Sequence, residues 1–405
     1  MKRLINNING YMLLIAIAVV AITQSGCKKN DTYGTGAPVI TAIRNYVAAP
    51  GDSLISKTGT GKWVVITGKN LKGALQIAFD GTNASFNDAW FSDTSAVVLL
   101  PSVIAFPSVP SNQLNTIHYV TTHGETSFKF SIVPPAPTIS SISDEAAGPG
   151  DSVTINGLNF FFIKSLVYGG VPVTSFKSSN DGTMIRLAVP AGVSAAPVSI
   201  TTNSGTAATV YNVYDFVTGV ACNYDNVNPY PWGSGTSNSS TAYPGNTGVY
   251  GVLGATNMPA GANDWWDYPH SVNLYSIQWV PASDIASSPD SYAVKFEISV
   301  ISATPWVNGT LYVGVNYGTM APYNPWLNAN GSKTSFTTNG WQTVTIPLSS
   351  FTVNNGVAGT PPSSIAALLG SSGNNNLELL FENPGKTTVT SFAAAVDNIR
   401  VVKIK

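Results

Sequence analysis

The chain has 405 residues and a formal net charge of −1, with 44% hydrophobic but only 10% charged residues. That length allows about two to four domains, and the near-neutral balance excludes an electrostatic footprint for nucleic acid and gives no reason to expect an anionic substrate. Two cysteines, Cys27 and Cys222, exclude a disulfide framework. Low charge combined with abundant Gly, Thr, Ser and Asn points to a β-rich extracellular chain whose natural partners are neutral polymers.

Lys2 and Arg3 precede the apolar run from Tyr11 to Ile22, a positive n-region and a hydrophobic stretch too short to span a bilayer. Gln24-Ser25-Gly26-Cys27 follows and resembles a bacterial lipobox, although Gln24 stands where an aliphatic residue is usual. On that resemblance residues 1–26 are a lipoprotein signal peptide, Cys27 takes the lipid, and residues 27–37 are a tether. Several acyl chains give stable anchoring where one is marginal. Lys28-Lys29-Asn30-Asp31 resembles the surface-export signal of Bacteroidetes lipoproteins, so an outer-membrane, surface-exposed location is expected. The alternative is plain secretion, with Cys27 incidental and the charged tetrapeptide a solvated linker.

The chain then repeats itself. Trp63–Leu71 matches Ser152–Phe160, Phe79-Asp80-Gly81 matches Tyr168-Gly169-Gly170, and Val98–Pro101 matches Leu187–Pro190. The spacing is constant from Gly68/Gly157 to Pro101/Pro190. It shortens at Thr121/Thr201 because the first copy has a longer loop after Pro101. Fixed spacing across several short matches indicates a duplicated domain. Short β-branched runs separated by Gly, Pro, Asn and Asp predict antiparallel sandwiches. The pattern Gly150-Asp151-Ser152-Val153-Thr154-Ile155-Asn156-Gly157, then Gly169-Gly170, then Val189-Pro190, resembles the IPT/TIG immunoglobulin-like family. The units so predicted span 38–133 and 137–216, with Trp63 a departure at the start of a strand in the first. The resemblance implies that the glycine after the strand serves a turn and that the asparagine two places on accepts turn hydrogen bonds. Pro134-Pro135-Ala136-Pro137 reads as a stiff linker, and the two units as spacers.

From 217 to 405 the composition shifts, and seven of the nine tryptophans lie here. Alternation predicts strands at Tyr292–Val300, Thr310–Val315, Leu377–Glu382 and Val396–Val402, and no helix longer than a turn or two. The expected fold class is therefore all-β: two immunoglobulin-like sandwiches followed by a larger sandwich or jelly roll. Trp306 follows Pro305 in a Pro-Trp-x-x-Gly string, and Tyr323-Asn324-Pro325-Trp326 is a second loop of the same character. Flat rings set among Pro, Asn and Gly suit the apolar faces of sugar rings, whereas a core tryptophan is expected inside an apolar alternation. A third string, Asn263-Asp264-Trp265-Trp266-Asp267-Tyr268, offers Trp266 either as an extension of that platform or as buried core. Trp341 opens a strand and reads as structural, Trp279 reads as core, and Trp232 has no assignment. Asn308, Asn324 and Gln342 are candidates for hydroxyl contacts.

With Gly340-Trp341-Gln342-Thr343-Val344-Thr345-Ile346-Pro347-Leu348 and Val396-Asp397-Asn398-Ile399-Arg400, this order of motifs resembles the Bacteroidetes surface glycan-binding proteins of the B type, which carry a C-terminal xyloglucan-binding domain. The resemblance implies non-catalytic binding of a neutral β-linked polysaccharide such as xyloglucan by Trp306, Tyr323, Trp326 and Trp266. It also implies work alongside a SusC/SusD-type outer-membrane transporter and surface glycosidases. No cofactor is expected. A glycosidase needs two carboxyl groups flanking the bond, and among Asp267, Glu297, Glu378 and Glu382 no such pair stands out. Glu297 alternates with Phe296 and Ile298 and is expected on a solvated face. His118, His123 and His270 show no zinc spacing. Asp397 either joins a structural Ca²⁺ or makes strand-end hydrogen bonds. A hydrolase or lyase, or a protein-binding adhesin, remains the competing class.

Overall fold

A computed structural model of the protein describes residues 34–245, 248–353 and 359–405. The expected signal peptide and the expected lipid-bearing Cys27 lie outside the described residues. The last part of the expected tether does not: the Gly34 amide donates to Asp93 at 3.2 Å, and the Ala37 carbonyl accepts from the Asn70 side chain at 3.0 Å.

The chain divides into two compact units. One runs to Ile104 and includes Val109–Ile132; the other comprises Ala105–Ser108 and Val133–Lys405. Within the first, a three-stranded sheet of Val39–Asn45, Trp63–Lys69 and Ser95–Leu99 packs against a four-stranded sheet built around Ala74–Phe79 and Thr116–Thr121. Alternation drives the packing: Val64 and Ile66 point in and are fully buried, while Trp63 faces out. The second copy, at the start of the second unit, repeats this with Thr138–Ile142, Ser152–Leu158 and Met184–Ala188 on one sheet and Ile163–Tyr168 and Ser199–Thr202 on the other.

The repeated glycine does not serve a turn. Gly68 pairs with Ile40 and Gly157 with Ile139, each beside a bulge in the facing strand. A methyl at either position would collide with the carbonyl of Val39 or Thr138, so close approach of two backbones is what demands glycine. Asn70 and Asn159, two places on, take up left-handed φ of 56° and 62°. Their side-chain amides donate to the Ala37 and Ala136 carbonyls at 3.0 and 3.1 Å, closing each domain over its incoming chain.

The C-terminal domain is a sandwich of a six-stranded and a five-stranded antiparallel sheet. Val389–Lys403 is central in the larger sheet, between Tyr250–Met258 and Tyr292–Ser299. The smaller sheet runs Ser271–Gln278, Asn374–Glu382, Thr310–Val315, Thr319–Tyr323 and Thr352–Val353. Leu274, Val313, Leu379 and Phe381 meet Val294, Phe296 and Val401 between the sheets. The one α-helix among the described residues is Ile365–Leu369, capped by Ser364.

The second immunoglobulin-like domain and the C-terminal domain form one unit because charged side chains weld them. Glu145 accepts from Lys295 at 2.5 Å and from Arg400 at 2.9 Å, and Arg400 also meets Glu297 at 3.0 Å. The Lys295 ammonium lies 3.3 Å from the centroid of the Tyr211 ring. Glu297 does occupy the face opposite Phe296, but that face is covered by the neighbouring domain rather than solvated. Burial pushes its carboxyl up, with the Arg400 guanidinium opposing.

Candidate functional site

The structure corrects the expectation that Trp306, Tyr323 and Trp326 share an open face. Trp306 has no exposure and Trp326 retains 7%. Trp306 packs on Phe381, Phe392, Phe336 and Tyr323. Tyr323 is half-buried against that ring and Phe296, and desolvation pushes its hydroxyl up to about 12. The segment after Trp326 folds back, so that Trp306 and Phe336 pair through backbone bonds of 3.0 and 2.9 Å. Both indole N–H groups donate to the Gly309 carbonyl, at 3.3 Å from Trp306 and 2.7 Å from Trp326. Lys333 lies over Trp326 at 4.9 Å. Pro-Trp-x-x-Gly is thus a device for burying two indoles. Gly309 holds φ of 82°, and a methyl there would run into the Phe381 ring. Asn308 is likewise buried, with its amide donated to Thr387 at 2.8 and 2.9 Å. Trp279 and Trp341 are buried as expected.

Exposed rings gather instead on the outer face of the five-stranded sheet. Its strands alternate, so Tyr312, Met320 and Leu380 face away from the sandwich core and form a separate apolar layer. Trp265 and Tyr317 lie on that layer, stacked with centroids 4.8 Å apart. Trp265 also meets Trp266 at 5.7 Å and Trp232 at 6.4 Å, both edge-on. Tyr317 reaches Tyr275 hydroxyl to hydroxyl at 3.4 Å. The result is a continuous aromatic run with half-buried Trp265 and Tyr317 at its centre. Around them Trp266 is 52% exposed, Trp232 39%, Tyr275 50%, Tyr230 77% and Tyr268 72%. A cleft of about 390 Å³ between Tyr230, Trp232, Trp266 and Tyr268 also presents Asn228, Ser234 and Thr236.

Local bonding holds these rings still. Trp232 bridges backbone to backbone with Asn273 on the free edge of the sheet. The Asn273 amide donates to the Trp232 carbonyl at 3.0 Å and to Ser271 at 2.8 Å, and its oxygen accepts from the Tyr317 hydroxyl at 2.9 Å. The loop carrying Trp265 and Trp266 is closed by Asp267 and His270 amides donating to Asp264 and Asp267 carbonyls. At its root the buried Asn383 amide donates to the Met258 and Pro259 carbonyls. Side chains ordered before binding cost little entropy when a ligand arrives.

Two carboxyls underlie this face. Glu378 is fully buried, and burial pushes it up to about 7; one oxygen accepts from the Tyr317 amide at 3.3 Å and the other has no hydrogen-bond partner. Glu382 is pushed up to about 7 by burial and the nearby Asp264. Four residues apart on one strand, their Cα atoms stand ~13 Å from each other. Among the described residues no group of three or more His, Cys, Asp or Glu is placed to hold a metal. A larger cleft of about 870 Å³, where the second immunoglobulin-like domain meets the C-terminal one, is walled by Asp144, Asp151, Asp225, Glu297 and Asp397, with half-buried Tyr214 and Phe216 as its partly open rings.

Residues 214–403 match the family described as the surface glycan-binding protein B xyloglucan binding domain. That match spans the C-terminal domain, a little under half of the chain. Across the chain, the fold is similar to the crystal structure of a surface glycan-binding protein from Prevotella bryantii, with a TM-score of 0.69 at 21% identity, covering 91% of this chain and 99% of that one. A second glycan-binding protein of the B type, from a complex xyloglucan utilization locus in Bacteroides uniformis, aligns over 91% of this chain and 99% of that one, at 19% identity and a TM-score of 0.48. An IPT/TIG domain-containing protein of Bacteroides ovatus is 25% identical over 208 residues, which is 48% of this chain and 42% of that protein. The chain therefore aligns with less than half of that relative's length.

Of the four residues expected to bind sugar, only Trp266 stands in the exposed run. Trp232, Trp265, Tyr275 and Tyr317 were not expected there. A signal for them was present: Ser271, Asn273 and Tyr275 alternate with the apolar Val272 and Leu274 of one strand, marking a polar and aromatic outer face.

Proposed function

We propose that the protein binds a neutral β-linked glucan, xyloglucan or mixed-linkage glucan, without cleaving it, by stacking sugar rings on the aromatic run of the C-terminal domain. The observation that carries this reading is the set of rigid, half-exposed rings from Tyr275 to Trp266 on a domain of a glycan-binding family. Each ring that meets a sugar contributes roughly 1–3 kcal/mol, by analogy with base stacking. Two or three rings therefore give about micromolar to millimolar affinity after the costs of association. The burial of Glu378 and Glu382, with 0% and 6% exposure, supports a non-catalytic role, since a glycosidase needs two carboxyl groups that reach the bond from either side. The lipobox-like Gln24–Cys27 and the export-like Lys28–Asp31 support anchoring by lipid at Cys27 on the outer face of the outer membrane. There the captured polymer would pass to a neighbouring transporter and surface glycosidases.

Affinity electrophoresis of the full chain in gels containing xyloglucan, mixed-linkage glucan, xylan or galactomannan tests the binding. Retardation by the glucans is expected, and it should fall in Trp266→Ala and Trp232→Ala. Unretarded migration in every gel defeats the reading, and release of reducing sugar from the same polymers would replace it with a hydrolase.

A further inference from the structure

The first immunoglobulin-like domain carries an aromatic surface of its own. Tyr46, just beyond Val39–Asn45, lies 6.0 Å from Trp63, and Trp63 lies 5.5 Å from Trp90, with successive planes inclined by 45° and 51°. The three rings are 56%, 38% and 52% exposed. Each comes from a different element and each is fixed. Trp63 opens a strand and pairs with Leu99, so alternation turns it outward beside the buried Val64. Trp90 ends the 3-10 turn Asp88–Trp90, capped where the Asn87 side chain accepts from the Ala89 amide at 3.0 Å. Tyr46 follows Asn45, whose side chain clamps the loop to Gly51 and Ser53.

The duplicated domain shows that the fold does not need these rings. The register of the two copies places Ser152 where Trp63 stands, and it places Lys177 where Trp90 stands, because Phe91 and Ser178 pair with the equivalent Ala96 and Ile185. The strand equivalent to Trp63–Lys69 forms with Ser152 in that place, and Phe176–Ser178 forms a strand where the first copy has the turn ending at Trp90, so the shared sandwich does not need the tryptophans. Three contiguous exposed rings form an apolar patch of the kind that marks an interaction site. With centroids 6.0 and 5.5 Å apart, the three rings form one continuous aromatic strip, which suits the apolar faces of successive sugar rings.

We propose that Tyr46, Trp63 and Trp90 form a second glycan-binding site, which takes a neutral β-linked glucan by stacking and makes the protein bivalent toward long polymers. The ligand class rests on the reading of the C-terminal domain; the location does not. Two sites on one chain raise retention on a polymer far more than on a short oligosaccharide. In gels of xyloglucan and mixed-linkage glucan, the full chain carrying Tyr46→Ala and Trp90→Ala should be retained about tenfold less than the wild type. Its affinity for a xyloglucan oligosaccharide too short to bridge two sites should keep the C-terminal contribution. Trp232→Ala with Trp266→Ala should leave residual retention that disappears when the four changes are combined. Should the double variant melt early, single changes decide: Trp90→Tyr should keep retention and Trp90→Leu lose it, because an apolar contact without a ring is not enough. Unchanged retention of the Tyr46/Trp90 variant in both gels overturns the proposal and leaves the C-terminal site standing. Loss there with no effect of the Trp232/Trp266 variant overturns the C-terminal reading instead. Normal glycan retention with loss of a bound protein partner assigns the rings to protein docking and also overturns it.

Discussion

Two clusters of aromatic residues in the C-terminal domain look alike on paper and do opposite work. Around Trp306 and Trp326 the rings sit in irregular backbone, yet they are sealed, because the following segment folds back and one glycine carbonyl satisfies both indoles. Around Trp265 and Tyr317 the rings lie on a sheet face, yet most of their neighbours are open to solvent. The lesson is that Pro, Asn and Gly beside a tryptophan report loop backbone, not exposure. A loop can close over its own rings when their N–H groups find an acceptor inside.

The largest expected effect tests the sealed cluster. Trp306→Ala should cost about 3–5 kcal/mol in urea or thermal unfolding, the range for emptying a large aromatic site. Any loss of glycan binding should follow loss of the fold. A stable Trp306→Ala protein that fails to bind would break the comparison and return Trp306 to the binding surface. Gly309→Ala comes next, expected to destabilise by more than about 1 kcal/mol because the left-handed φ and the Phe381 ring both oppose a methyl. The open cluster should behave in reverse. Trp266→Ala should leave unfolding within about 0.5 kcal/mol of wild type while lowering glucan affinity roughly tenfold in affinity electrophoresis or calorimetry.

A further test concerns the carboxyls beneath the open rings. Glu378 is held protonated in the folded chain up to about pH 7, against an ordinary value of 4.5. Between those values the unfolded chain releases the proton first, so stability falls as pH rises from about 4.5 to 7 and levels off beyond. Glu382 adds to the same slope. Melting temperatures across this range should decline in the wild type and decline less in Glu378→Gln. An unchanged slope would show that Glu378 ionises normally and is not sealed by the Tyr317 hairpin.

Much of the architecture was legible because it is local. Alternation located Thr310–Val315 within the smaller sheet and the start of Tyr292–Ser299 in the larger one, and the spaced repeats of Gly68 and Gly157 announced a duplicated sandwich. What alternation cannot say is what covers the outer face of a strand. Lys295 and Glu297 alternate as a solvated edge would, yet they are buried because Glu145 of another domain lies across them. Tyr312 and Leu380 alternate outward in the same way, and they support the aromatic run.

The sequence by itself determined the all-β class and the richness of the last stretch in flat rings. These follow from side-chain period and turn chemistry, which act between residues near one another in the chain. Only the tertiary structure decided which rings are sealed and which are open. That depends on segments distant in sequence: Phe336 closing over Trp306, and Trp232 laid along Asn273. Exposure is a property of what arrives from elsewhere, and no local pattern encodes it.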